Sequence, residues 1–382
     1  MIRFIFSLFL LISTKSYGYP NFIGHSYTSC MNCHYNPLGG GQINDYGRAV
    51  AATAISSKVL FPNSWTEEKF ADFSGFLFQK EKQNWLRTQI NYRGLELTTN
   101  PAGSREKKQW INMQSDVRAT LLFGDNDQLI VSGDYGVTPP PKSGAPGKSY
   151  EAQRSRSHYI GYRPSPSYGI YAGLMDTAYG LRVVEHTAFS RITTQTSQND
   201  QTHGIMGHYI GDLWETGVHL FAGNLAQDGD LRMKGASAIT ERTVSEIHRL
   251  GASIKSAKND YLNLTSLAVH GRFNLKEGSA LLAEFGQVDK KTKNGSDDKV
   301  SQYALVQTYL RPTRGLYVLT NIEYLKTDSG AADSTIRWGP GVQIFPAPKL
   351  EMRADIYNTR SLNSGASVAD SWMFLYQVHV WL

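Results

Sequence analysis

Beyond its first dozen residues, the 382-residue chain lacks any apolar run approaching the roughly 20 residues that a spanning helix needs. A bundle of membrane helices is therefore excluded. Cysteine is almost absent, with two in the whole chain, so there is no disulfide framework to stabilise a small scaffold. Basic residues are scattered rather than clustered. The formal charge is +6, or +4 once Arg3 and Lys15 are set aside, and this gives no reason to invoke nucleic acid. No Ser-His-Asp spacing, phosphate loop or carboxylate pair stands out, which weighs against an enzyme, and neither heptads nor a solenoid repeat is visible. Aromatic residues, in contrast, are plentiful: 16 Phe, 7 Trp and 21 Tyr. Soluble β proteins and membrane barrels both tolerate such a composition, because a barrel strand needs apolar residues only at alternate positions.

The chain opens as an export address. Arg3 supplies a positive start, Phe4 to Ile12 are largely apolar, and Ser16-Tyr17-Gly18 forms a small-residue cleavage site. Ser13, Thr14, Lys15 and Ser16 break the run too early for a membrane anchor. Residues 1–18 are expected to be a signal peptide, cut near Gly18 and Tyr19.

The two cysteines, Cys30 and Cys33, are followed by His34, giving C-x-x-C-H. Thiols at this spacing can each add to one haem vinyl group while the adjacent imidazole is held under the iron. A disulfide between such close neighbours would close a strained ring, a redox pair would not require the histidine, and a zinc site would need a second pair of ligands that is missing. One covalently attached haem c is expected, with His34 as proximal iron ligand. His25, five residues before Cys30, is the candidate distal ligand, with an exposed loop histidine as the even alternative. An open sixth position would permit weak peroxidase-like chemistry. The histidines at 158, 186, 203, 208, 219, 248, 270 and 379 are dispersed, and most are not expected to be ligands. Asn36 to Gly41 reads as a turn, and Asp45-Tyr46-Gly47-Arg48 opens a short helix through Ile55. Arg48 is a candidate partner for a haem propionate, although a solvated helix position is the favoured reading.

The order HSYTSCMNCHYNPLGGGQINDYGR, after an export signal and before a β-rich remainder, resembles the single-haem cytochrome segment at the start of some bacterial outer-membrane porin-like proteins. The close resemblance covers about residues 20–55. It implies haem attachment through Cys30, Cys33 and His34 and a barrel for the rest. The expected division is a signal peptide (1–18), a haem-binding segment (19–60), a linker (61–83) and an outer-membrane β-barrel (84–382).

Strand periodicity supports that barrel independently. Ile111, Met113, Val117, Ala119, Leu121 and Phe123 are expected outside, with Asn112, Gln114, Asp116, Arg118 and Thr120 inside. Trp214, Thr216, Val218, Leu220 and Ala222 oppose Glu215, His219 and Phe221; Leu350, Met352, Ala354 and Ile356 oppose Glu351, Arg353, Asp355 and Tyr357. The last strand discriminates best. Trp372, Phe374, Tyr376, Val378, Val380 and Leu382 form an apolar stripe running to the final residue, while Met373, Leu375, Gln377, His379 and Trp381 face the other way. Such a strand suits lipid contact and closure against the first strand, despite a final Leu where barrel-insertion signals more often carry an aromatic.

Tight connections at Pro312-Thr313-Arg314 and Pro346-Ala347-Pro348 alternate with longer polar ones at Asp289–Asp298, Asp328–Asp333 and Asn363–Val368, as periplasmic turns alternate with external loops. The fold class is an all-β antiparallel transmembrane barrel of 14 to 16 strands, depending on whether residues 225–256 supply two, preceded by a short loop and helical haem segment. Thr138–Ser149 is another loop. The stretch Asp176–Asn199, with Arg182, Glu185, His186 and Arg191, can either line a constriction or form an external loop; the external reading is favoured. The expected function is electron transfer with a periplasmic protein at the outer membrane of a Gram-negative bacterium, with the haem segment on the periplasmic side. The alternative is a passive porin passing small solutes, its haem segment a plug, docking element or redox sensor. Partners are therefore a periplasmic electron-transfer protein, outer-membrane lipid and small solutes, and no nucleic acid.

Overall fold

A computed structural model describes residues 20–27, 29–80, 83–100, 105–139, 153–185, 187–245, 247–276, 278–362 and 370–382. The expected signal peptide, His186, most of the 138–149 loop and the 363–368 loop lie outside the described residues. The wall is built from β1 (Leu86–Asn100), β2 (Lys107–Phe123), β3 (Leu129–Val137), β4 (Gln153–Arg154 and His158–Ser165), β5 (Tyr168–Met175), β6 (Thr202–Ile210), β7 (Trp214–Phe221) and β8 (Lys234–Thr243). It continues through β9 (His248–Lys258), β10 (Leu262–Lys276), β11 (Ser279–Thr292), β12 (Lys299–Thr313), β13 (Leu316–Lys326), β14 (Ser334–Ala347), β15 (Leu350–Leu362) and β16 (Asp370–Trp381). Both parts of β4 pair with β3, so it is one strand with a break at 155–157. Each strand runs antiparallel to its chain neighbours, and β16 returns to β1 in register from Asn91↔Trp381 to Asn100↔Trp372. The result is a closed barrel of 16 strands with no free edge. Residues 225–256 do supply two strands, β8 and the start of β9.

The two-residue period sets the faces. On β7, β15 and β16 the expected inward residues point into the lumen, where Glu215, Glu351 and Arg353 are buried in polar contacts, and the expected apolar partners point outward. Val117, Ile170, Leu220, Val269 and Phe285 stand exposed on the outer surface, the reverse of a water-soluble protein and the arrangement lipid demands. β2 departs from expectation at one point. From Gln114 to Phe123 the faces are as read, but the β1–β2 register shifts at Arg93/Gly94, where Gln114 and Asn112 take consecutive partners and Met113 is the extra residue, so the reading of Ile111, Asn112 and Met113 fails. A bulge of one residue reverses the faces beyond it. Met113 is consequently buried, and Asn112 and Trp110 are exposed.

A second correction concerns the connection after β5, which folds into the lumen instead of standing outside. A short helix, Phe189–Thr194, lies within it. It is held there by buried wall charges that it helps to satisfy, alongside the wall's own pairs Arg353–Asp355 and Arg337–Glu323. Glu185 meets Arg353 and Gln307, the backbone N–H of Phe189 donates to Glu323 at 2.6 Å, and Lys255 donates to the carbonyls of Thr194 and Gln195 at 2.9 and 2.8 Å.

The linker is also more than a tether. Glu67–Phe73 is helical, capped by Thr66, and its Phe73 packs edge to face on Phe61 and Trp65, as does Phe70 on Phe61. Arg314, in the β12–β13 turn, pairs with Glu67 at 2.9 Å and fixes this unit to the tight-turn end of the barrel.

Candidate haem site inside the lumen

Residues 20–57 enter the barrel from the tight-turn end. A single helical turn, Pro20–Ile23, is followed by a 3-10 turn at Cys30–Asn32, whose start is capped by the Ser29 hydroxyl accepting from Met31 N. The helix Asp45–Val50 forms as expected, capped by Asn44 accepting from Gly47 N at 2.8 Å, and widens into a π turn through Ile55. Position 47 requires glycine, because a Cβ there would lie 2.5 Å from the carbonyl oxygen of Cys33. Close packing of this helix on the C-x-x-C-H turn thus fixes where the motif points. Arg48 is neither solvated nor aimed at the motif: its guanidinium donates to Ala71 O at 2.7 Å and Ser74 Oγ at 2.9 Å, tying the two helices together.

The segment is gripped on two sides. Ile23 and Ile55 join a buried cluster with Leu181 and Val183 of the in-folded loop and with Leu282, Leu305, Tyr309, Tyr317 and Phe345 of the wall. Tyr35 joins a second one with Ile130, Tyr159, Tyr171 and Met206. Polar links complete the seating. Ser29 donates to Glu215 at 2.9 Å, Asn21 to Gln343 at 3.0 Å, Arg163 to Tyr35 O at 2.6 Å, and Arg87 pairs with Asp45 at 2.7 Å.

Between segment, loop and wall lies a cavity of about 410 Å3. Cys30, Cys33 and His34 line it together with Arg93, Arg118, Arg156, Glu215 and Arg272 of the wall and Tyr179 and Arg182 of the loop. Both thiols are free. Burial pushes the Cys33 thiol up to about 12 and raises that of Cys30 as well, so neither is a reactive thiolate of the kind a redox pair would use. Burial, then Arg182 and Arg118, lowers His34 to about 4, keeping the imidazole neutral as ligation requires, and its Nδ1 is buried with no hydrogen-bond partner among the described residues. Two inert thiols, one neutral histidine and a partly open lumenal cavity fit a covalently held haem. His25 is brought elsewhere. It is half-buried, lowered to about 4 by burial and by Arg311 and Arg314 of the tight-turn end, and does not line the cavity.

Of the wall residues, Arg118 and Glu215 were read as inward-facing from the alternation, and Arg93, Arg156 and Arg272 were not singled out. Alternation shows which side a residue takes, but not that a separate, earlier segment of the chain will stand opposite it.

No protein-family model and no curated protein matches the sequence. Solved structures do resemble the fold. OmpT, an outer-membrane protein of Vibrio cholerae, superposes with a TM-score of 0.62 at 9% identity, covering 79% of this chain and 99% of its own. The anion-selective porin from Comamonas acidovorans gives 0.58 at 8%, covering 78% and 99%, and the outer-membrane channel DcaP of Acinetobacter baumannii gives 0.56 at 11%, covering 78% and 97%. The chain has the porin-type fold, a closed antiparallel barrel.

Proposed function

We propose that this protein is an outer-membrane barrel of the porin type, closed from within by its own N-terminal segment, and that this segment carries one haem c inside the lumen. The observation that carries the reading is the position of Cys30, Cys33 and His34 on a lumenal cavity instead of on a separate domain beside the barrel. The outward apolar band supports placement in lipid, and the alternation of short turns and long loops supports entry of the segment from the periplasmic side. Likeness in fold to porins and channels supports small-solute passage through the barrel, here narrowed by the segment and the in-folded loop. Cys30 and Cys33 would hold the haem and His34 would ligate its iron; when bound, the group supplies a one-electron couple.

Electron exchange with a periplasmic protein is the second reading, and one observation favours it. Phe22, which lines the cavity, packs edge to face on Tyr27 at 6.0 Å, and Tyr27 on Tyr46 at 5.7 Å; Tyr46 is 54% exposed. An aromatic path therefore leads from the candidate site to the segment's exposed surface. The test of the plug is single-channel conductance of the whole purified protein in planar bilayers. A conductance far below that of an open porin of equal strand number is expected; an equal one would show that the segment does not occupy the lumen.

A further inference from the structure

We propose that Arg156, with Arg118 beside it, is the anchoring site for a propionate carboxylate of the haem, an inference that rests on the reading of Cys30, Cys33 and His34 given above. Arg93, Arg118 and Arg156, from β1, β2 and the break in β4, converge on the cavity wall. Neither of the two aspartates among them hydrogen-bonds the Arg156 guanidinium, and Asp116 is taken up by Arg118. Asp116 accepts from Asn91 Nδ2 at 2.6 Å, from Gln114 and from Arg118 Nε at 3.1 Å. Asp134 accepts the backbone N–H groups of Arg156 and Ser157 at 2.8 and 3.1 Å and the Ser155 hydroxyl at 3.3 Å.

The Arg156 guanidinium comes no nearer to a carboxylate than 3.9 Å, at Asp116, and has no hydrogen bond among the described residues, although its side chain is only 11% exposed. A guanidinium withdrawn from water without a hydrogen-bonding partner is costly, and its planar fork is shaped to take a carboxylate through two parallel bonds. The cavity supplies the direction. Cys30 adjoins Ser29, which bonds Glu215 on β7, whereas His34 has Arg118 and Arg182 as its charged neighbours. Haem vinyl and propionate groups lie on opposite edges of the ring. With Cys30 on the Glu215 side, a haem held there would turn its propionate edge away from that wall, towards the side where Arg118 and Arg156 stand. Arg182, already paired with Asp176, and Arg48, bound to Ala71 and Ser74, are not free to take this part.

The experiment compares the whole wild-type protein with Arg156→Gln and Arg156→Lys, all produced in cells competent in haem attachment. Haem content, heat-modifiable barrel and the pH dependence of the haem midpoint potential are measured from about pH 5 to pH 9, above the ordinary carboxylate range. The wild-type potential is expected to be flat with pH, because the anchored carboxylate stays ionised in both oxidation states. Arg156→Gln should keep its haem but acquire a slope approaching one proton taken up per electron, and Arg156→Lys, which keeps the charge and loses the fork, an intermediate slope. A haem-loaded, folded Arg156→Gln with the flat wild-type profile would overturn the proposal. Should that variant not fold, a flat profile in Arg156→Lys overturns it equally. A wild type with no haem is a different result: it removes the reading of the C-x-x-C-H motif itself.

Discussion

The barrel and the segment inside it are stabilised in opposite ways. Each of the 16 strands is paired on both sides, and the outward face is apolar along its length, so the wall is specified by a repeating local pattern and a lipid surround. Residues 20–57, in contrast, contain helices of four and six residues extended by one π turn, far too short to persist alone in water. Their structure is borrowed from the wall through Ile23, Ile55 and Tyr35 and a handful of polar links. One consequence is that the segment can be loosened while the barrel survives.

The sharpest way to break that contrast is Ile55→Ala. Truncating this buried side chain should cost about 2–5 kcal/mol of the segment's seating. Limited proteolysis should then cleave residues 20–60 much faster while heat-modifiable barrel persists. If segment and barrel are lost together, they are one cooperative unit and the contrast is false.

Val378→Arg attacks the other party. It places charge on the lipid face of β16 at a cost of about 2–4 kcal/mol near the midplane, so the amount of barrel recovered in the outer membrane should fall. Gln377→Arg, directed into the lumen beside Arg353, should be milder. Equal damage from both would contradict the assigned faces.

The smallest effect is expected from Ser29→Ala, which removes one donor to Glu215. That carboxylate keeps Arg249 and His208 as partners, so about 1 kcal/mol or less is expected in a denaturation series of the segment. A loss as large as that from Ile55→Ala would move the grip from the apolar clusters to the polar links.

What could be read beforehand follows the same division. Alternation is written residue by residue, so β7, β15 and β16, their faces and the closure of β16 on β1 were all legible. Cys30, Cys33 and His34 were legible because the motif is contiguous. Met113 was misplaced because a bulge leaves no mark in the hydrophobic pattern. The in-folded loop was missed for another reason. Glu185 is polar in either location, and its partner Arg353 lies 168 positions away, so nothing near it in sequence announces the lumen. Arg48 was similarly claimed by a helix that had been read as linker.

The central claim is that the lumen of this barrel holds a covalent haem on Cys30 and Cys33. Its most direct test is a haem stain of the heat-denatured protein taken from the outer-membrane fraction of cells competent in haem attachment. Thioether bonds survive unfolding, so the full-length band should stain, and Cys30→Ala with Cys33→Ala should abolish the stain. An unstained wild-type band would contradict the account.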